Sequence, residues 1–158
     1  MANAHTLTRA TQTLTAAGVF TDTQTVVCGK TYTTQTTLTN VDGNVFNGAD
    51  AAAGLQNLFD AINLTGTPGT QYAAAMTANA HVKATAVTAT TLVITALTAG
   101  AVGNLIATTE TQTNASWGAA VMAGGAGNLN AWALSEIALN QLNSDVLYDL
   151  NTLTVAAD

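Results

Sequence analysis

Few residues in this chain have the types and spacing that chemistry requires. Gly29-Lys30-Thr31 matches the end of a phosphate-binding loop, in which backbone N–H groups cradle a phosphate and the lysine reaches its oxygens. The complete pattern needs a glycine where this chain has Gln24, and a helix after it where these residues predict a strand. His5 and His81 are far apart, with no cluster of histidine or cysteine beside either, so a zinc site is not expected. Asp42, Asn44, Asn47 and Asp50 offer oxygens to a hard cation, but their spacing lacks the repeat of a calcium loop and reads as a solvated turn. Cys28 lies in the apolar run Thr25-Val26-Val27-Cys28 and reads as a buried, inert thiol. As the single cysteine it cannot close an internal disulfide. Trp117, Trp132 and Tyr72 can stack on sugars, although a core role is the simpler reading. No paired carboxylates and no Ser-His-Asp or Cys-His set stands out, so no residue is assigned to catalysis, to a cofactor or to a metal.

The elements that would carry such residues are readable in order. Residues 4–17 alternate weakly and fit an extended arm or an edge strand. Asp22 to Cys28 and Thr31 to Leu38 predict a β-hairpin turning at Gly29-Lys30. The turn formers of residues 40–49 lead to Asp50, a good N-cap. Leu55, Leu58, Phe59 and Ile62 then give one apolar face to a helix over residues 51–64, which ends at Thr65-Gly66-Thr67-Pro68-Gly69. Gln71 to Thr77 allows a short helical turn. Two strands follow, His81 to Thr88 and Thr91 to Thr98, the second apolar on both faces and so central. A turn over residues 99–104 precedes a short strand from Leu105 to Thr109, and residues 114–127 fit an edge strand and a Gly-rich hinge. Beyond it, Trp132, Leu134, Ile137, Leu139, Leu142, Val146, Leu147 and Leu150 have largely helical spacing, with Ser144-Asp145 as a break or second cap. This piece can pack on its own domain or reach a neighbouring subunit. The expected fold is α+β. A small, mainly antiparallel sheet is packed by one main helix, with an N-terminal arm (1–17), a core domain (18–127) and a C-terminal extension (128–158).

Composition narrows the function classes. Charged residues make up 8% of the 158, against roughly 25% in an average chain. Threonine fills thirty positions, where about eight to ten are usual. A surface of Thr, Asn and Gln is wet yet nearly uncharged, and loses little on meeting a partner. An assembled protein explains this, as does a codon bias towards Thr and Ala. The net charge of −6 with only Arg9, Lys30 and Lys83 as cations argues against nucleic acid as a partner. No apolar run approaches the roughly 18 residues of a membrane span. No secretory pattern opens the sequence, so assembly in a cytoplasm is expected, and the glycosylation triplets at Asn63 and Asn114 carry no meaning.

The segments Gly29 to Thr33, Thr36 to Val45, Asp60 to Asn63 and Val93 to Thr109 resemble a small α+β module that recurs in structural proteins of tailed bacteriophages. A related helix, hairpin and Gly-Asn turn appears within contractile tail sheath proteins. The likeness spans about residues 25–125 and is sharpest in T-A-x-T-A-G-x-x-G-N-x-I, from Thr95 to Ile106. Here Gly100 and Gly103 suit a turn, Asn104 can bond its own backbone and Ile106 returns to the core. The resemblance implies a non-enzymatic virion component. The chain is too short for a whole sheath protein and lacks the repetitive tail of a receptor-binding fibre. A capsid decoration (cement) protein fits best, with the major capsid protein as partner, homo-oligomers, no membrane, and a place on the capsid surface of a virion assembled in the bacterial cytoplasm. A neck, tail or baseplate component, or a carbohydrate-binding module, is the alternative.

Overall fold

The computed structural model describes residues 7–127, so His5, Trp132 and the C-terminal extension expected over residues 128–158 lie outside the described part. The fold is α+β, with two small sheets and one helix where a single sheet was expected. The strands are β1 (Arg9–Ala16), β2 (Thr25–Cys28), β3 (Thr31–Gln35), β4 (Asn44–Phe46), β5 (Val82–Val87), β6 (Thr91–Ala99), β7 (Thr108–Glu110) and β8 (Ala115–Trp117); the helix is α1 (Ala51–Asn63). The first sheet runs β5-β6-β1-β8 and the second β4-β3-β2-β7. Every pairing is antiparallel except β3 with β4.

The N-terminal arm expected over residues 1–17 is corrected by β1. This strand pairs with β6 on one side, from Arg9–Ala99 to Thr15–Thr91, and with β8 on the other, from Leu14–Trp117 to Ala16–Ala115. Residues 9–16 are therefore an interior strand, and no domain boundary falls at residue 17. Their inward side chains are Ala10, Leu14 and Ala16, all buried. Two alanines give a weak apolar signal, yet small residues are required there. A Cβ added at Gly103 would lie 3.1 Å from those of Ala10 and Ala96, so a larger side chain at Ala10 has no room.

The other elements follow their local chemistry. Asp50 caps α1, its Oδ1 accepting from Ala53 N at 2.8 Å, and Leu64 ends the helix in the left-handed region at φ 54°. Leu55, Leu58, Ala61 and Ile62 face a core shared with Leu14, Leu92 and Ile94 of the first sheet and Val26, Tyr32 and Val45 of the second. Gly54 is a contact point: a Cβ there would meet Asn47 O at 2.7 Å and the Phe20 ring at 3.3 Å. β2 and β3 form the expected hairpin, and β6 is central as expected. Two local expectations fail. Residues 71–77 form no helical turn, because Tyr72 bridges Val45 and Pro68 and covers the edge of β4. Residues 101–105 form a 3₁₀ turn, so the expected strand over 105–109 shortens to β7.

Side-chain amides fasten the parts together. Asn79, buried between α1 and β5, donates to Cys28 O at 3.0 Å and Tyr32 Oη at 3.2 Å, and accepts from His81 N at 2.9 Å and Val82 N at 3.1 Å. It thus links β2 and β3 of one sheet to β5 of the other. Asn63 donates to Ala84 O and accepts from Ala84 N, both at 3.0 Å, so it occupies the free edge of β5 as a neighbouring strand would. Gln112 accepts from Thr21 N at 2.9 Å and donates to Thr34 Oγ1 at 2.7 Å, both inside the fold.

Two outcomes follow. Removal of residues 1–17 takes out an interior strand, and the truncated chain is expected to lose its cooperative thermal transition; a truncated chain melting near the full-length Tm would contradict this. Asn79→Ala leaves buried backbone groups unpaired and is expected to cost about 3 kcal/mol in urea denaturation.

Candidate functional site

The residues singled out for chemistry are not brought together. Gly29 and Lys30 form the β2–β3 turn, with Gly29 at φ 71°, and no helix follows. Lys30 Nζ donates to Asp42 Oδ1 at 2.6 Å and to Thr77 O at 2.7 Å, and lies 5.7 Å from the centre of the Tyr32 ring. It is held within the protein, away from any phosphate cradle. The four oxygen donors also have separate tasks. Asp42 holds Lys30 and Thr77, Asn44 donates to Thr39 Oγ1 at 2.7 Å, Asn47 donates to Phe20 O at 3.2 Å, and Asp50 caps α1. Among the described residues no group of three or more His, Cys, Asp or Glu can hold a metal. Trp117 and Tyr72 are buried, as the core reading expects, although Trp117 also borders a surface depression with Glu110 and Ala119.

Cys28 is fully buried, and desolvation pushes its thiol up to about 12. Asp42 moves the other way. The hydrogen bond from Lys30, then that from Thr77 N, holds its carboxyl down to about 2. The folded-state value lies below the ordinary 3.9 or so, so this stabilisation is complete above about pH 4 and is lost as pH falls towards 2. The Asp42 side chain is 44% exposed, so screening limits the effect to about 1 kcal/mol or less.

The described surface carries an exposed apolar turn. The stretch from Thr95 to Ile106 explains its own pattern. Gly100 has φ 93°, and a Cβ there would sit 2.8 Å from Gly127 O. Gly103 lies against Ala10 and Ala96. Asn104 bonds the backbone of Gly125 instead of its own, donating to Gly125 O at 2.9 Å and accepting from its N at 2.8 Å. Ile106 packs partly buried on the core. These four hold the turn, and the residues between them face solvent: Val102 is 55% exposed and Leu105 is 78% exposed. Leu105, Ile106 and Ala107 border a shallow depression of about 380 Å³ with Gly29 and His81. Exposed Val121 bridges Ala107 on one side, and exposed Leu97 donates its N–H to His81 O on the other.

Next to it, the outward face of the first sheet is mostly threonine. Thr11 pairs with Thr95 and Thr15 with Thr91, Thr13 lies opposite Val93, Ser116 faces Thr15, and Thr85 Oγ1 is 3.1 Å from Thr95 Oγ1. The exposure of Val102 and Leu105 was not legible in the sequence. Its signal was the pair of glycines and the asparagine, which fix a turn and leave apolar residues between them.

Comparison of the chain with protein-family models, with curated proteins and with solved structures found no match.

The thiol and the ion pair are testable separately. Cys28 is expected to resist a disulfide reagent at pH 8 in the folded protein and to react only at the rate of unfolding. Asp42→Asn is expected to flatten the fall of Tm between pH 4 and pH 2 relative to the parent chain.

Proposed function

We propose that this chain is a structural virion protein of a tailed bacteriophage, a capsid decoration protein that binds the outer surface of the major capsid protein lattice and stabilises the shell. The observation that carries the reading is the turn from Thr95 to Ile106, the sharpest part of the resemblance to phage structural modules. Its glycines and Asn104 serve as framework, and Val102 and Leu105 are presented to a partner. Such a rigid apolar knob loses little conformational entropy on binding. The threonine face beside it adds hydroxyls with few charges to desolvate. The role proposed is binding, with no catalysis. Weak contacts of this kind add up when they repeat over a lattice. Among the described residues no helix is long and apolar enough to cross a membrane. The carbohydrate-binding alternative is less favoured, because Tyr72 and Trp117 are mostly buried.

The test is pelleting of the purified chain with expanded empty capsids that lack it. Saturation at hundreds of copies per shell, with added resistance to heat, is the expected result. Saturation at a dozen copies or fewer would instead indicate a vertex, neck or fibre site, and an absence of binding would move the role to the tail. Burial of Leu105 is worth about 2 kcal/mol, so Leu105→Asp is expected to weaken capsid binding roughly 30-fold with Tm unchanged.

A further inference from the structure

The charges of the described residues are sorted by end. β1 is eight residues long, about 26 Å, and defines an axis. Arg9 stands at its start, where Nη1 donates to the carbonyls of Ala96 and Leu97. Lys83 is in the same place, because it pairs with Thr95, and Thr95 pairs with Thr11. The apolar patch belongs to this end as well, through Leu97 and His81. Asp42 is also found here, but it is neutralised by Lys30. Among the described residues Arg9 and Lys83 thus stand outside any ion pair, at the end that also bears Leu105.

The opposite end is acidic. Past Ala16 the chain reaches Val19, 40% exposed, and Asp22, exposed, whose Oδ1 accepts from Thr36 N at 2.6 Å. Asn47 donates to Phe20 O and to Thr36 Oγ1, both at 3.2 Å, which brings Asp50 of the helix N-terminus to the same end. Among the described residues no cation stands there. Of the other acids, Asp60 is buried and Glu110 lies midway along the second sheet, opposite Val26.

We propose that copies of this chain associate head to tail, the end bearing Arg9, Lys83 and Leu105 of one copy meeting the end bearing Asp22, Asp50 and Val19 of the next. The two ends are complementary in charge, and their separation along β1 keeps them from meeting within one copy. Among the described residues, the acidic surface that the basic end fits is therefore that of a second copy. Exposed rim charges steer and orient such a contact and make it sensitive to salt. The apolar side chains inside the rim supply the buried centre. A contact between unlike surfaces does not close at two copies; it continues into a ring or an open row. This association shares Leu105 with the capsid contact proposed above, so a given knob meets either the shell or the next copy; Lys83 and Asp22 belong to the association alone, and their variants distinguish its failure from a failure of capsid binding.

Sedimentation velocity of the full chain tests it. At about 50 mM salt the mass is expected to rise with protein concentration beyond two copies, and at about 500 mM salt to fall to one. Lys83 donates no hydrogen bond among the described residues, so Lys83→Glu should leave Tm unchanged and weaken association roughly tenfold. Asp22→Lys is expected to do the same from the other end, and a mixture of the two variants should associate again, since the altered ends are once more opposite in charge. A single-copy mass at low salt at every concentration would overturn the proposal. So would association indifferent to Lys83→Glu and to salt, or variants that fail to rescue each other.

Discussion

Asn79 is the joint on which the described fold depends. One carboxamide satisfies a carbonyl of β2, the hydroxyl of Tyr32 and two N–H groups at the start of β5. No backbone ladder connects the two sheets at that point, so without the amide their edges would face each other with buried unpaired groups. A chain with so few ionised residues has little else to use. Asn63 closes the edge of β5, Gln112 ties the segment after β1 to β3, and Asn104 clamps residue 125 to the 3₁₀ turn. An amide can donate and accept at once, so a single side chain can replace a missing stretch of strand. Buried amides also specify register more sharply than apolar contacts do, because a shifted partner leaves a donor stranded.

That economy shapes the surface. Where a larger domain would cover Val102 and Leu105, this one spends its small residues, Ala10, Ala96 and Gly103, on bringing the turn close to the sheet. The turn then has no depth in which to tuck its own apolar side chains. Close approach beneath and exposure above are two aspects of the same constraint.

The sequence was most legible where one local signal sufficed. Asp50 and the Leu55, Leu58, Ile62 spacing located α1 to within a residue, and the runs flanking Gly29-Lys30 located the β2–β3 hairpin. β1 was misread because its buried face is carried by two alanines and Leu14, while its partners, β6 and β8, lie far along the chain. No window of a dozen residues contains that information. The division into two sheets was hidden for a related reason: it is enforced by side-chain bonds such as those of Asn79, which have no periodicity. In the candidate surface, the glycines of the turn were readable, but the outward aim of Leu105 depends on Ala10 lying beneath Gly103, a contact across more than ninety residues.

The late arrival of β1's partners also bears on how the protein is made. β1 leaves the ribosome before its partners β6 and β8, which follow after some 75 to 100 residues. At about 5–20 residues per second, it waits several seconds or longer with both edges unsatisfied. The hairpin β2–β3 and helix α1 can form during that interval, while the sheet that β1 threads cannot. Its dense threonine and its arginine then act as protection for a nascent chain, keeping an open strand hydrated until its neighbours emerge.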